Sequence, residues 1–149
     1  MKAIQKGFTL VELLVVMGIL ALLLAITLIA INPSRQFNLA QDTKRRSDIV
    51  QISNAIYQNE AEHAGVFTIG STPFTIPLTP APISNTGADI CEGIIPNYMP
   101  ALPQDPTSNN GAAIISCTSY DTGYTISRDT NNRVTVSAPS ANPTIAVTR

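Results

Sequence analysis

The chain has 149 residues, is 44% hydrophobic and carries a formal net charge of -1. That size fits one small domain plus an appended segment better than two domains, and the balance lacks the basic excess that nucleic-acid binding calls for. The average hides an asymmetry: Phe8 to Ile31 is apolar except at Thr9, Glu12, Gly18 and Thr27, whereas the remainder is polar and rich in Thr, Ser, Asn and Pro.

In chain order, Met1 to Gly7 is a short polar stretch holding Lys2 and Lys6. The apolar run that follows would rise ~36 Å as a helix, enough to cross a hydrocarbon core of about 30 Å and too long for the apolar region of an ordinary secretory signal. Glu12 is the odd residue in it. A carboxylate inside a span calls for a partner, while one at headgroup level is simply solvated. Gly18, Ala21 and Ala25 recur at helical spacing, which either lets neighbouring helices approach closely or reflects ordinary alanine usage in a span.

The order Lys6-Gly7-Phe8-Thr9-Leu10-Val11-Glu12-Leu13 resembles the class III signal of type IV prepilins and pseudopilins. The resemblance covers about the first thirty residues. It implies that prepilin peptidase cuts between Gly7 and Phe8 on the cytoplasmic side, and that the new amino terminus at Phe8 is methylated. It further implies that Glu12 neutralises the amine of a neighbouring subunit during assembly. Removing either member of such a buried pair would strand the other. The charges flanking the span, Lys2 and Lys6 before it and Arg35, Lys44, Arg45 and Arg46 after it, do not settle orientation. The cytoplasmic N-terminus follows from the resemblance alone.

Asn32-Pro33 closes the apolar run, and the pair also suits a helix N-cap and first turn, so the chain is expected to kink and continue helical. No Pro or Gly interrupts Arg35 to Ala64, and Gly65 is the expected cap. Ile49, Ile52 and Ile56 mark a packed face, with Val50 and Tyr57 beside them. Asp42 with Arg46 and Lys44 with Asp48 stand four apart, as on a solvated, salt-bridged face. Lys44-Arg45-Arg46 could instead meet DNA or anionic lipid, but acids interleave with the run. If both segments are helical they reach ~85 Å, too long for a head of this size to bury, so the exposed half needs lipid or other copies of the chain.

Residues 66–122 are punctuated by prolines and read as loops. The Pro-punctuated stretch Asn97 to Pro106 resembles, weakly, the loop that precedes the sheet in pilin-like heads. Cys91 and Cys117 bracket this stretch; they are a disulfide if this part is exported and two buried thiols otherwise. Tyr124 to Arg128 and Arg133 to Ser137 alternate in polarity about the turn Asp129 to Asn132, an antiparallel hairpin, while Ile145 and Val147 form a short strand or a frayed tail. The expected fold is α+β. One long N-terminal helix, membrane-spanning in its first half and kinked near Asn32-Pro33, packs against a small C-terminal antiparallel β-sheet. The expected divisions are a leader at 1–7, a transmembrane and assembly helix at 8–31, the second half of the long helix at 32–65 and an extracellular head at 66–149.

Nothing in the sequence has the form of a catalytic constellation. His63 is the sole histidine and falls near a helix C-terminus, where a surface role is the ordinary one. Asp89, Glu92, Asp105, Asp121 and Asp129 are scattered without a calcium-loop spacing, and two cysteines with one histidine make no zinc site. The expectation is a non-enzymatic protein without cofactor, metal or small-molecule substrate. What the resemblance implies is a type IV pilus subunit serving adhesion, twitching motility or DNA uptake. Its partners would be membrane lipid, prepilin peptidase, the pilus assembly platform and copies of itself or other pilins; DNA is not indicated. It would be a single-pass membrane protein that later enters a surface filament. The alternatives are a pseudopilin of a type II secretion or competence system, or a single-span anchored binding domain.

Overall fold

The computed structural model describes residues 7–149, so Lys2 and Lys6 lie outside the described residues. The chain divides into two compact units, one running to Leu39 and the other from Ala40 to Arg149.

The first unit contains helix α1, Leu10–Ile31, and the start of helix α2, Pro33–Glu62. The helices part at Asn32, which adopts a left-handed conformation with φ 45° and ψ 80°. The same residue serves both: its main-chain carbonyl accepts from Arg35 and Gln36, and its side-chain carbonyl accepts from the Arg35 N–H. Pro33 occupies the first position of α2, where its missing N–H costs nothing.

The second unit is an α+β head. The C-terminal part of α2 buries Ile49, Ile52, Ala55 and Ile56 in one core with Tyr124, Ile126, Val134, Val136 and Ala138 of the sheet. That sheet has the order β3 (Ala81–Ser84), β4 (Asp121–Arg128), β5 (Val134–Ala138), β6 (Ile145–Thr148), each pair antiparallel. The hairpin read from the alternation is β4–β5, in the register Ile126 opposite Val136. Ile145 and Val147 belong to a paired strand and not a frayed tail. Strand β3 has no alternation to reveal it. Its Pro82 sits on the outermost strand of the sheet, the place where a strand tolerates a residue without an N–H. The opposite face of the sheet is lined with small hydroxyl side chains, bonded across the strands as Thr125 to Ser137 at 2.7 Å and Thr135 to Thr148 at 2.8 Å.

Helix α2 ends at Glu62, earlier than the expected stop at Ala64. Ala64 already has φ 55°, Gly65 follows with φ 86°, and the Gly65 N–H caps the Glu60 carbonyl at 2.7 Å. Beyond this turn lie a two-residue hairpin, β1 (Thr68–Ile69) with β2 (Thr72–Pro73), and a single helical turn, α3 (Cys91–Ile94), in a stretch expected to be loop. Asn59 holds these pieces to α2. Its buried amide donates to the carbonyls of Thr68 and Gly93, both at 2.9 Å, and accepts from the Thr68 N–H at 2.8 Å. Gly93 has to be glycine, because a Cβ there would lie 2.7 Å from the Phe67 ring and 2.8 Å from the Thr68 carbonyl oxygen.

Candidate processing and assembly segment

Gly7 and Phe8 are exposed non-helical chain; a Cβ built on Gly7 would meet nothing within 4 Å, and Phe8 is 84% exposed. Helix α1 begins two residues later with Thr9 as its N-cap, φ -80° and ψ 152°. Thr9 and Glu12 form a reciprocal capping box. The Glu12 N–H donates to Thr9 Oγ1 at 3.2 Å, while Glu12 Oε2 accepts from the Thr9 N–H at 2.8 Å and from its hydroxyl at 2.9 Å. The box satisfies donors that the first turn otherwise leaves open. The other carboxylate oxygen of Glu12, Oε1, has no partner among the described residues. The Glu12 carboxylate, expected either to await a partner or to be solvated at headgroup level, is thus also engaged at the start of its own helix. Thr-x-x-Glu ahead of an apolar run is a capping signature legible in the sequence.

Not one residue of α1 is buried. Its most apolar window has a mean hydropathy of 3.1, and at 22 residues it is long and apolar enough to cross a membrane. Gly18, Ala21 and Ala25 are exposed on it, and a Cβ at Gly18 would meet nothing within 4 Å.

The basic run after the span is arranged otherwise than expected. Lys44 pairs with Asp48 at 3.2 Å, but Asp42 pairs with Arg45 at 2.9 Å and not with Arg46. Nor is this a solvated face. Arg45, Asp48 and Asp105 are buried, and Arg45 forms a two-pronged bond to Asp105 at 2.8 and 3.0 Å. The reason is a partner that helical spacing cannot show: Asp105 lies 60 positions away in the Pro-rich loop. Burial works to raise the Asp105 carboxyl pKa, but the Arg45 guanidinium and the Thr107 hydroxyl and N–H outweigh it, and the carboxyl titrates below its ordinary range. Asp48 accepts the Tyr124 hydroxyl at 2.8 Å; burial first, then that bond, pushes the phenol well above its ordinary pKa.

Cys91 and Cys117 are disulfide-bonded, with Cα atoms 5.5 Å apart. A loop of that length is worth about 3–4 kcal/mol in the chain-entropy account. His63 lies just past α2 and hydrogen-bonds the Asn59 carbonyl through Nδ1 at 2.7 Å. Among the described residues no group of three or more His, Cys, Asp or Glu side chains could hold a metal ion.

Residues 2–28 match the family model of the prokaryotic N-terminal methylation motif, the class III signal of type IV pilins and pseudopilins. The motif and the unburied apolar helix together support a pilin-like or pseudopilin precursor that is anchored in a membrane. Neither the curated proteins nor the solved structures contain a match.

Proposed function

We propose that the chain is the precursor of a structural subunit of a type IV pilus or pilus-like filament. The observation that carries this reading is a helix of 22 residues with none buried, opening directly after Gly7-Phe8 within the matched motif. Apolar surface of that extent is stable only against lipid or against other apolar helices. In this reading prepilin peptidase cuts between Gly7 and Phe8, and Phe8 becomes the methylated amino terminus. Lys2 and Lys6 leave with the leader.

Assembly then exchanges lipid contact for contact with copies of the chain or other pilins on an assembly platform. Glu12 Oε1, which the capping box leaves open, accepts the amine of a neighbouring Phe8. Gly18, Ala21 and Ala25 offer the close approach that helix association in an apolar medium rewards. The filament presents the head outside the cell and serves adhesion, twitching motility or DNA uptake. Pseudopilins share the motif, so a short filament within a secretion or competence machine is the second reading.

Mass spectrometry of the exported protein tests the reading. The expected amino-terminal peptide begins at N-methyl-Phe8, and a Gly7→Leu variant keeps its leader and stays in the membrane. A wild-type chain that retains Met1 at the surface would instead make it an anchored domain.

A further inference from the structure

We infer that the head carries a binding site for a neutral saccharide in an open cleft beside the start of β4. The cleft has a volume of about 400 Å³, at the small end of ligand sites. Three of its polar side chains are built alike. Asn85 Oδ1 accepts from the Tyr120 N–H at 3.3 Å, Gln104 Nε2 donates to the Asp121 carbonyl at 2.8 Å, and Asp121 Oδ1 accepts from the Gly123 N–H at 2.8 Å. Each planar group spends one polar atom on the main chain of the same short segment, which restrains it at the cleft. Each keeps its second polar atom, Asn85 Nδ2, Gln104 Oε1 and Asp121 Oδ2, without a protein partner among the described residues. One amide donor group and two acceptors are therefore left for a ligand, on side chains already partly ordered.

The lining chemistry selects the ligand class. Among the described residues no lysine, arginine or histidine lines the cleft, which disfavours phosphate and carboxylate ligands. Lys44 reaches the Gln104 carbonyl at 3.0 Å but is already paired with Asp48. One carboxylate with no second acid is a poor cation site. Tyr120 is only 6% exposed and its hydroxyl bonds Asp89, so no aromatic face is offered to a flat ring. What remains is the aliphatic carbon of Ala112, Ala113 and Ile114 in one lining with amides, the Ser119 hydroxyl and a carboxylate. That combination suits a pyranose, whose neighbouring hydroxyls each donate and accept while its C–H face packs on aliphatic carbon. The site draws only on the head, so it stands or falls independently of filament assembly.

The test uses the full chain in phosphocholine micelles, which present no sugar headgroup. Methyl glycosides of glucose, galactose, mannose and N-acetylglucosamine are titrated by saturation-transfer NMR. At least one is expected to bind saturably, with a dissociation constant on the order of 1 mM. Asp121→Asn keeps the acceptor for Gly123 but turns the free acceptor into a donor, and should weaken that binding about tenfold. Ala113→Tyr, at an exposed position, should fill the cleft and abolish it. The inference is overturned if none of the four sugars saturates, or if both variants fold and bind like the parent. A response of the cleft to calcium alone, with no response to sugar, overturns it as well. The parent titration decides the matter even where a variant fails to fold.

Discussion

Helix α1 and the head solve opposite problems with the same backbone chemistry. The head buries its apolar side chains among its own elements and pairs the charges of Arg45, Asp48 and Asp105 that it buries with them, so its stability is written in its own contacts. Helix α1 buries nothing, and its polar contacts are local ones, the capping box at its first turn and the Thr27 hydroxyl donating to the Leu24 carbonyl. The difference shows where each part's free energy resides: inside the chain for the head, in the surroundings for α1. Substitutions in the head should therefore register in its unfolding, whereas those in α1 should register in insertion or association.

The sharpest way to break that contrast is at Arg45. Arg45→Met leaves the Asp105 carboxylate buried without its cation, and the head is expected to lose about 3–5 kcal/mol in denaturant unfolding. The double change Arg45→Met with Asp105→Leu should recover most of that, because removing both charges also removes the desolvation cost. Leu20→Ala on α1 should leave the same unfolding curve unmoved. A large shift from Leu20→Ala, or none from Arg45→Met, would erase the distinction.

A gentler probe is pH. The Asp105 carboxyl is held below its ordinary value, so the native head binds this proton less readily than the unfolded chain does. Its contribution is complete above the unfolded value near 3.8 and is lost as pH falls through the lower, folded one. Tyr124 sets the other limit. Its pKa is raised above 10.0, so stability declines as pH climbs past that value, where the unfolded phenol ionises and the buried one does not. Circular-dichroism melts across pH should show a plateau between these limits. An acid shoulder starting well above pH 4 would point away from Asp105. Arg45→Met should flatten the acid arm.

Sequence pattern disclosed these parts unevenly, for physical reasons. Periodicity is a local signal, so it reported the Ile49–Ile56 stripe, the β4–β5 hairpin and the apolar run, each of which has a face fixed by nearby residues. Strand β3 stayed hidden because an outer strand that carries Pro82 and follows directly on Pro80 lacks alternation. The role of Arg45 stayed hidden because its partner is distant in sequence, and a basic triplet beside acids looks the same whether solvated or buried. The cleft beside β4 depends on loops from three parts of the chain, which no spacing rule joins. Thr9-x-x-Glu12 carries two signals at once, a capping box and an acid in an apolar run, and spacing alone does not say that one residue serves both.

That box yields the smallest effect and the most discriminating one. Thr9→Ala removes the side-chain acceptor for the Glu12 N–H and one of the two donors to Glu12 Oε2, a loss typical of caps at about 1 kcal/mol of helix stability. The head's unfolding should not change, since α1 and its cap belong to the other unit. Filament yield is where the two roles of Glu12 separate. If the box merely finishes the helix, Thr9→Ala and Glu12→Gln should reduce yield alike, because each disturbs the same cap. If the carboxylate also receives a neighbour's amine, Glu12→Gln should assemble far worse than Thr9→Ala, because the amide keeps an oxygen for the cap but loses the charge. Equal yields from the two variants, with both chains inserted in the membrane, would reduce Glu12 to a capping residue.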